Sequence, residues 1–531
     1  MSDDHNLPGE APTESPEEIY ERLMIEAGEA LVATEALALA AELLDTTQEL
    51  GRRDGLQLVI DLLSRVDRDG LDPLASVQVD FCLGDAWGAL DAIARRQGTT
   101  EAFWETEYLA KRLLHLRLAV RGFDAIAEVP EEYACSVLNN LGTALNSTGR
   151  LLPAILVWDE AIARNPEFAM ALGNRGCALV EYGRAVHDES HALLLWKRAW
   201  LDLGAALKKL PHPEAAEGFR QYLAFIEKVL PGESLTDALD WNQLPLGISN
   251  EESAYRQWCL DERLFLHPLN DLGPITLGAY DPISTPNMIL GPGEGEYYQG
   301  FFNELKQEFV SARYLLFEGL AAKAPHFSDR DVTIADTLDQ PVYSLASQKL
   351  RLAFRSASSL FDKAAVFLNY YLALEIPERQ VTFRTIWYTK QDRTRRIRSE
   401  FRDRENAWLR ALFALSLDTF DNAAGFPDVS EPDAKTLYEV RNYAEHKFLK
   451  LHSSDHWRVL VPATPNQSVP QPLSLTRQDF AEKTMKVMRT ARELLIYLSL
   501  MIREEERCRF KAGGMMAVPL PWLEFGSDRK L

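Results

Sequence analysis

The residues best suited to chemistry in this 531-residue chain form the run Arg441-Asn442-Tyr443-Ala444-Glu445-His446. An imidazole titrates near neutrality and can move a proton, and a guanidinium is a permanent cation whose fork of donors suits an oxyanion. At about 100° per residue, Leu437, Val440, Ala444 and Phe448 form one narrow apolar stripe. A helix here therefore puts Asn442 and His446 together on the opposite side, with Arg441 at the shoulder. Such a polar pair faces water or a second protein surface rather than its own core. The spacing alone has little specificity, because Arg184 and His191 come close to repeating it. An exposed histidine beside an Arg441–Glu445 pair at i, i+4 satisfies the same pattern. Lys447 adds a second cation next to the imidazole.

Other catalytic templates are missing. The sequence has no HExxH, no paired CxxC, no GxSxG and no Walker loop, and the glycines of LGPGEGEYY (290–298) lack the Lys-Ser/Thr that a phosphate loop needs. The ten histidines are dispersed, so neither a metal nor a cofactor is expected. Asp362 and Lys363 are weaker candidates, for which a surface ion pair is a sufficient account. Trp258, Leu264, Phe265 and Leu266 are expected to dock their segment onto a neighbouring domain.

Helices must position these groups. Ala, Leu, Glu and Arg at helical spacing dominate, which predicts an all-α fold. Leu350, Phe354, Ala357, Phe361, Ala364 and Leu368 recur at steps of four and three. Ala481, Met485, Met488, Ala491, Leu495, Leu498 and Ile502 nearly do the same. Such stripes predict long helices packed in a bundle over 346–515, with shorter helices near 405–420 and 432–451. Upstream, Asn140, Leu141, Gly142, Leu145, Gly149, Arg150, Ala154, Trp158, Ala161 and Pro166 fit a tetratricopeptide hairpin. Asn174, Gly176, Leu179, Gly183 and Arg184 follow at a period of 34. Hairpins of this kind expose apolar surface on both sides and must stack, which predicts a repeat array over 18–231. Its concave groove is a candidate site for a protein or peptide. Between array and bundle, 232–345 is rich in Pro and Gly and reads as a connecting region, with a helix near 297–321. Residues 1–17 read as a disordered leader and 516–531 as a tail.

The formal net charge of −22 repels nucleic acid at long range, so any RNA contact needs a local basic patch. Arg384 to Arg404 supplies eight cations against three carboxylates. Arg393, Arg395, Arg396 and Arg398 are its centre, and a solvated, salt-bridged helix face is the alternative. Five scattered cysteines suggest reduced thiols. No signal peptide or membrane span is expected, which makes the cytoplasm the default location.

The last block resembles a HEPN domain (higher eukaryote and prokaryote nucleotide-binding), of the bacterial branch that follows tetratricopeptide-like repeats. The resembling stretches are KLRLAFRSASSLFDKAAVFLNYY (349–371), FRTIWY (383–388) and YEVRNYAEHKFLK (438–450). In the middle region they are DERLFLHPLNDLG (261–273) and FNELKQEFVSARYLLFEGL (302–320). The resemblance covers most of 250–510 and implies a metal-independent endoribonuclease. Arg441, Asn442 and His446 match the family's Arg, polar residue and His, and Glu445, Lys447 and Asp362 are secondary candidates. It also implies a homodimer pairing two bundles across one cleft, and products ending in a 2′,3′-cyclic phosphate and a 5′-hydroxyl. A defence or stress role, with the repeats as sensor, is the matching expectation. HEPN domains include inactive members, so a non-catalytic scaffold or a nucleotide-binding regulator stands as the alternative.

Overall fold

Small residues let the helices of the front half approach closely. A Cβ at Gly142 would fall 2.5 Å from the Trp158 indole nitrogen, and one at Gly176 would fall 2.7 Å from Leu203. A computed structural model describes residues 15–27, 32–96, 104, 107–209, 213–230, 232, 235, 240–290, 294–337, 339–389, 396–419, 430–454, 470–512 and 530. Ten helices come first: α1 (Pro16–Glu26), α2 (Ala33–Leu50), α3 (Arg53–Ser64), α4 (Pro73–Arg96), α5 (Glu107–Gly122), α6 (Glu131–Ser147), α7 (Leu151–Arg164), α8 (Ala169–Ala185), α9 (Glu189–Lys208) and α10 (Pro213–Val229). Helices α6–α7 and α8–α9 are the two expected hairpins. The expected leader is too long at its end. Ser15 caps α1 by accepting from the Glu18 N–H, and Glu18 reaches back to it, so the helix begins at residue 16.

The second hairpin departs from strict repetition. Gly149 makes the α6–α7 turn with a φ of +84°. Its counterpart Gly183 lies inside α8, where a Cβ would meet the Trp196 indole 2.3 Å away. It serves close packing rather than a turn.

After the array come α11 (Asn250–Asp261), α12 (Glu294–Ala321), α13 (Leu345–Tyr371), α14 (Ser399–Arg402), α15 (Ala407–Ser416), α16 (Ala434–His446), β1 (Leu449–His452), β2 (Leu473–Thr476) and α17 (Arg477–Ala512). The two strands pair in parallel, Leu449 with Leu473 through His452 with Thr476. They are the minor β element in an otherwise helical fold.

Side-chain contacts fix the bundle's directions. Tyr298 packs on Phe367 and Tyr371, whereas Glu318 pairs with Lys349, so α12 runs antiparallel to α13. Phe354 meets Phe480 and Tyr371 bonds Glu506, so α13 runs parallel to α17. Asn406 reaches the Met501 carbonyl while Trp408 stacks on Tyr497, which makes α15 antiparallel to α17. Helix α12 is thus part of the bundle, which moves the expected boundary at 346 toward the N-terminus.

One hydrophobic core runs without a break from the array through the middle segment into the bundle, and α1–α4 share a second. Leu264, Phe265 and Leu266 are buried as expected, and Trp258 packs partly buried. Two buried guanidiniums hold this wedge. Arg492 donates to the Phe265 and His267 carbonyls and to the Asp271 carboxylate, which also accepts from Tyr182. Arg313 grips Asp281 with two bonds of 2.9 and 2.8 Å and donates to the Leu264 carbonyl. Such fully bonded buried ions specify one docking geometry, because removing either partner strands a charge away from water.

Candidate functional site

Helix α16 is short because its apolar stripe is short. Val440 is buried, and Leu437, Tyr443 and Ala444 pack partly buried against the core. The helix ends at His446, and Lys447 is already extended. The predicted stripe placed Phe448 in the core and carried the helix to 451, and both points need correction. Phe448 is 53% exposed, and the chain enters β1, where Leu449 and Leu451 are buried. Helix geometry therefore stops where the chain must turn Leu449 inward.

That termination leaves His446 at the open end of the helix, with its side chain 72% exposed. Arg441 donates from Nη2 to Asp362 Oδ2 at 2.8 Å and from Nε to Glu445 Oε1 at 3.3 Å. The other Glu445 oxygen lies 3.5 Å from His446 Nε2, so one carboxylate stands between guanidinium and imidazole. Asp362 is oriented in turn, its Oδ1 accepting the Phe383 N–H at 3.1 Å. Burial disfavours the Arg441 charge, but Asp362 and Glu445 more than offset it and raise its pKa above the ordinary value.

Asn442 is half-buried, and Lys447 Nζ lies 4.9 Å from the Tyr443 ring centroid. Asp362 and Lys363 both sit in partly exposed ion pairs, each with a partner on another helix. Lys363 bridges Glu304 and Glu308 on α12, at 2.8 Å each, and Asp362 pairs with Arg441.

The basic run is not one helix face. Arg393 and Arg395 lie outside the described residues. Tyr388 and Ile397 form an antiparallel bridge, and Arg398 donates to the Ile386 carbonyl. Arg384 is buried on the Ser416 carbonyl, and Arg404 is engaged by Glu505. Arg396 is exposed.

Sequence reasoning missed how α16 is approached from the array. Arg117 and Arg121 of α5 bind the chain that enters it, across more than 300 residues of sequence. No local pattern signals such a contact. It also missed a cleft of about 940 Å³ lined by Lys323, His326, Phe327, Lys349, Arg477 and Met485. Lys349 lies thirteen residues before Asp362 on α13, about 20 Å along the helix, so cleft and Arg441 cluster are separate places.

Long helices packed as a bundle, with the short helix α16 set against them, define the class of fold. Residues 290–505 match the LA2681-like HEPN family, and this part of the chain belongs to the HEPN superfamily. The match begins just before α12, in agreement with the packing of that helix. Comparison with curated proteins finds no match. Among the described residues, no helix is long and apolar enough to cross a membrane.

Proposed function

We propose that the chain is a metal-independent HEPN endoribonuclease, acting in the bacterial cytoplasm in defence or stress, with the repeat array as sensor. The observation that carries this reading is the open end of α16, where Arg441 and His446 stand on either side of Glu445 at 3.3 and 3.5 Å. His446 takes the proton from a ribose 2′-hydroxyl, the freed oxygen attacks the adjacent phosphorus, and the 5′-oxygen leaves and takes up a proton. The products are a 2′,3′-cyclic phosphate and a 5′-hydroxyl. Arg441 holds the non-bridging oxygens as charge builds on them, and Asn442 orients the imidazole or a phosphate oxygen. Only RNA carries the hydroxyl that this step needs. Two bundles paired as a homodimer supply one imidazole to accept the proton and one to return it. A protein or peptide in the array's groove is the trigger.

The test is incubation of purified protein with RNA in the presence of chelator. Cleavage that leaves cyclic phosphate ends and disappears in His446→Ala supports the reading, and equal activity in both proteins removes it. One observation favours the rival, a non-catalytic scaffold or nucleotide-binding regulator: Arg441 is already held by two carboxylates. Expression separates the two. A ribonuclease slows growth unless Arg441 or His446 is changed, and a scaffold does not.

A further inference from the structure

We propose that the repeat array controls the helix bearing Arg441 and His446 through an ionic joint, in which Arg117 and Arg121 hold the chain entering α16 and Arg150 holds the Asp418 carboxylate to which that chain is bonded. Helix α16 has no side-chain cap of its own at Asp433, so its first turn is fixed from outside. The Ser430 carbonyl accepts from Arg117 Nη1 at 2.8 Å, and the Ser430 hydroxyl donates to Asp418 at 2.6 Å. Asp418 also takes both Arg117 donors, at 2.7 and 3.0 Å, together with Arg150. Arg121 reaches Asp433 at 2.9 Å, and Lys486 of α17 closes the group on Glu431 and Asp433 at 2.7 and 2.9 Å. Every residue from 430 to 433 except Pro432 therefore has a side chain or carbonyl held by a cation, and two of those cations belong to α5.

Three features make this a control point rather than a general surface contact. The inner members are shielded from water, with side-chain exposures of 13% for Arg117, 4% for Arg150 and 9% for Asp418. Burial opposes the Asp418 charge, and Arg117 and Arg150 overcome that to hold its carboxyl well below the usual range. A buried pair of this kind is formed or broken and does not stretch, which is the two-state element that coupling requires. The joint also draws on two parts of the array at once. Arg117 and Arg121 sit one turn apart on α5, and Arg150 follows the Gly149 turn between α6 and α7. Finally, the lever is short. Arg441 lies eight residues beyond Asp433 on a continuous helix, about 12 Å away. A rearrangement of the repeats that moves α5 against the bundle moves the first turn of α16, and with it the Arg441 cluster.

The coupling stands on this geometry alone, whereas its consequence for RNA cleavage rests on the ribonuclease reading. The experiment compares full-length wild type with Arg121→Gln, Arg117→Lys and a control, Arg164→Gln, whose exposed pair with Glu160 lies elsewhere in the array. Amide hydrogen exchange is read over 434–446 and, as reference, over 345–371, with RNA cleavage measured in parallel. Arg117→Lys keeps the charge and loses the two-pronged grip, and Arg121→Gln touches an exposed position that tolerates change. The expected result is exchange in α16 accelerated by about tenfold over α13 in both joint variants, with the control unchanged. Equal exchange in α16 and α13, or acceleration in the control as well, overturns the joint. Selective acceleration with no RNA cleavage by any protein keeps the joint and removes the ribonuclease.

Discussion

Lowering the pH from 7 to 5 should weaken the fold at the seam between array and middle segment, because three imidazoles with lowered pKa values, His187, His191 and His267, are buried or half-buried there. His267 is fully buried, its Nδ1 accepts the Leu269 N–H at 3.0 Å, and its ring lies 4.4 Å from His191 and 4.5 Å from Tyr280. Burial, then His191 and Arg492, push its pKa down to about 2 against the pull of Asp281. His187 is pushed down to about 4 by burial and Arg503, with Asp188 opposing. His191 is lowered by burial, again with Asp188 opposing. In the unfolded chain each titrates near 6.5, so below that pH the unfolded state binds more protons and stability falls with pH. The contribution is whole above about pH 6.5 and is lost at ~1.4 kcal/mol per pH unit, about 2 kcal/mol for each of His267 and His187 at pH 5. Asp85 acts in the other direction. Burial pushes its carboxyl up to about 6, against Arg112 and Asn140, so the folded state gains its proton first. That returns about 1.4 kcal/mol at pH 5, which leaves a net loss near 3 kcal/mol. Urea unfolding followed by tryptophan fluorescence at pH 7, 6 and 5 measures it. His267→Asn removes one titration and should flatten the decline by about 2 kcal/mol. An identical decline in that variant refutes the assignment.

Three further outcomes are expected. Asp362→Asn removes one carboxylate from Arg441 and costs at most about 1 kcal/mol of stability, since the pair is over one-third exposed on both sides. It should tighten RNA binding by up to about fivefold in fluorescence anisotropy, and weaker binding goes against a phosphate role for Arg441. Gly142→Ala pushes a methyl into Trp158 and should cost about 1–3 kcal/mol, whereas Gly204→Ala, inside α9 with open space around its Cβ position, should gain about 0.5–1 kcal/mol. Differential scanning calorimetry would order the two variants on opposite sides of wild type. Asp418→Ala removes the carboxylate that Arg117 and Arg150 share, leaving them the Ser430 carbonyl and Glu493, and should cost about 3 kcal/mol in chemical denaturation; a loss below about 1 kcal/mol speaks against a desolvated joint.

What was legible in the sequence is what local spacing controls. Gly142 and Gly176 sit at helix crossings because only glycine allows those approaches, and their period of 34 is visible without a structure. Gly183 keeps the period and not the role, since Trp196 fills the space beside it. The Arg441–Glu445 contact follows from i, i+4 spacing. The Arg441–Asp362 contact spans 79 residues and depends on which face of α13 meets α16. The end of α16 was misplaced because Phe448 fits the helical stripe, while the strand beyond it is four residues long and finds its partner at Leu473. Too few alternating residues are present there to outweigh a helical period.

The chain treats its guanidiniums in two ways, and the difference bears on the site. Arg150, Arg313 and Arg492 are nearly inaccessible and bind carboxylates that keep little or no surface, so an incoming anion does not reach them. Arg441 keeps 34% of its side-chain surface, and its partner Asp362 keeps 37%. An ion pair that wet contributes at most about 1 kcal/mol, because water already solvates both ends. A phosphodiester arriving at Arg441 therefore displaces a weak partner rather than a strong one, and a guanidinium offers it two parallel donors. The acidic net charge then acts as a filter: RNA is repelled at long range, and binding requires local contacts at the open end of α16 to outweigh that repulsion. If cleavage occurs, its rate should consequently rise with moderate salt before falling, whereas a basic-groove nuclease loses binding monotonically as counterion release weakens. A strictly monotonic decline from the lowest salt would place the RNA on a basic surface away from Arg441.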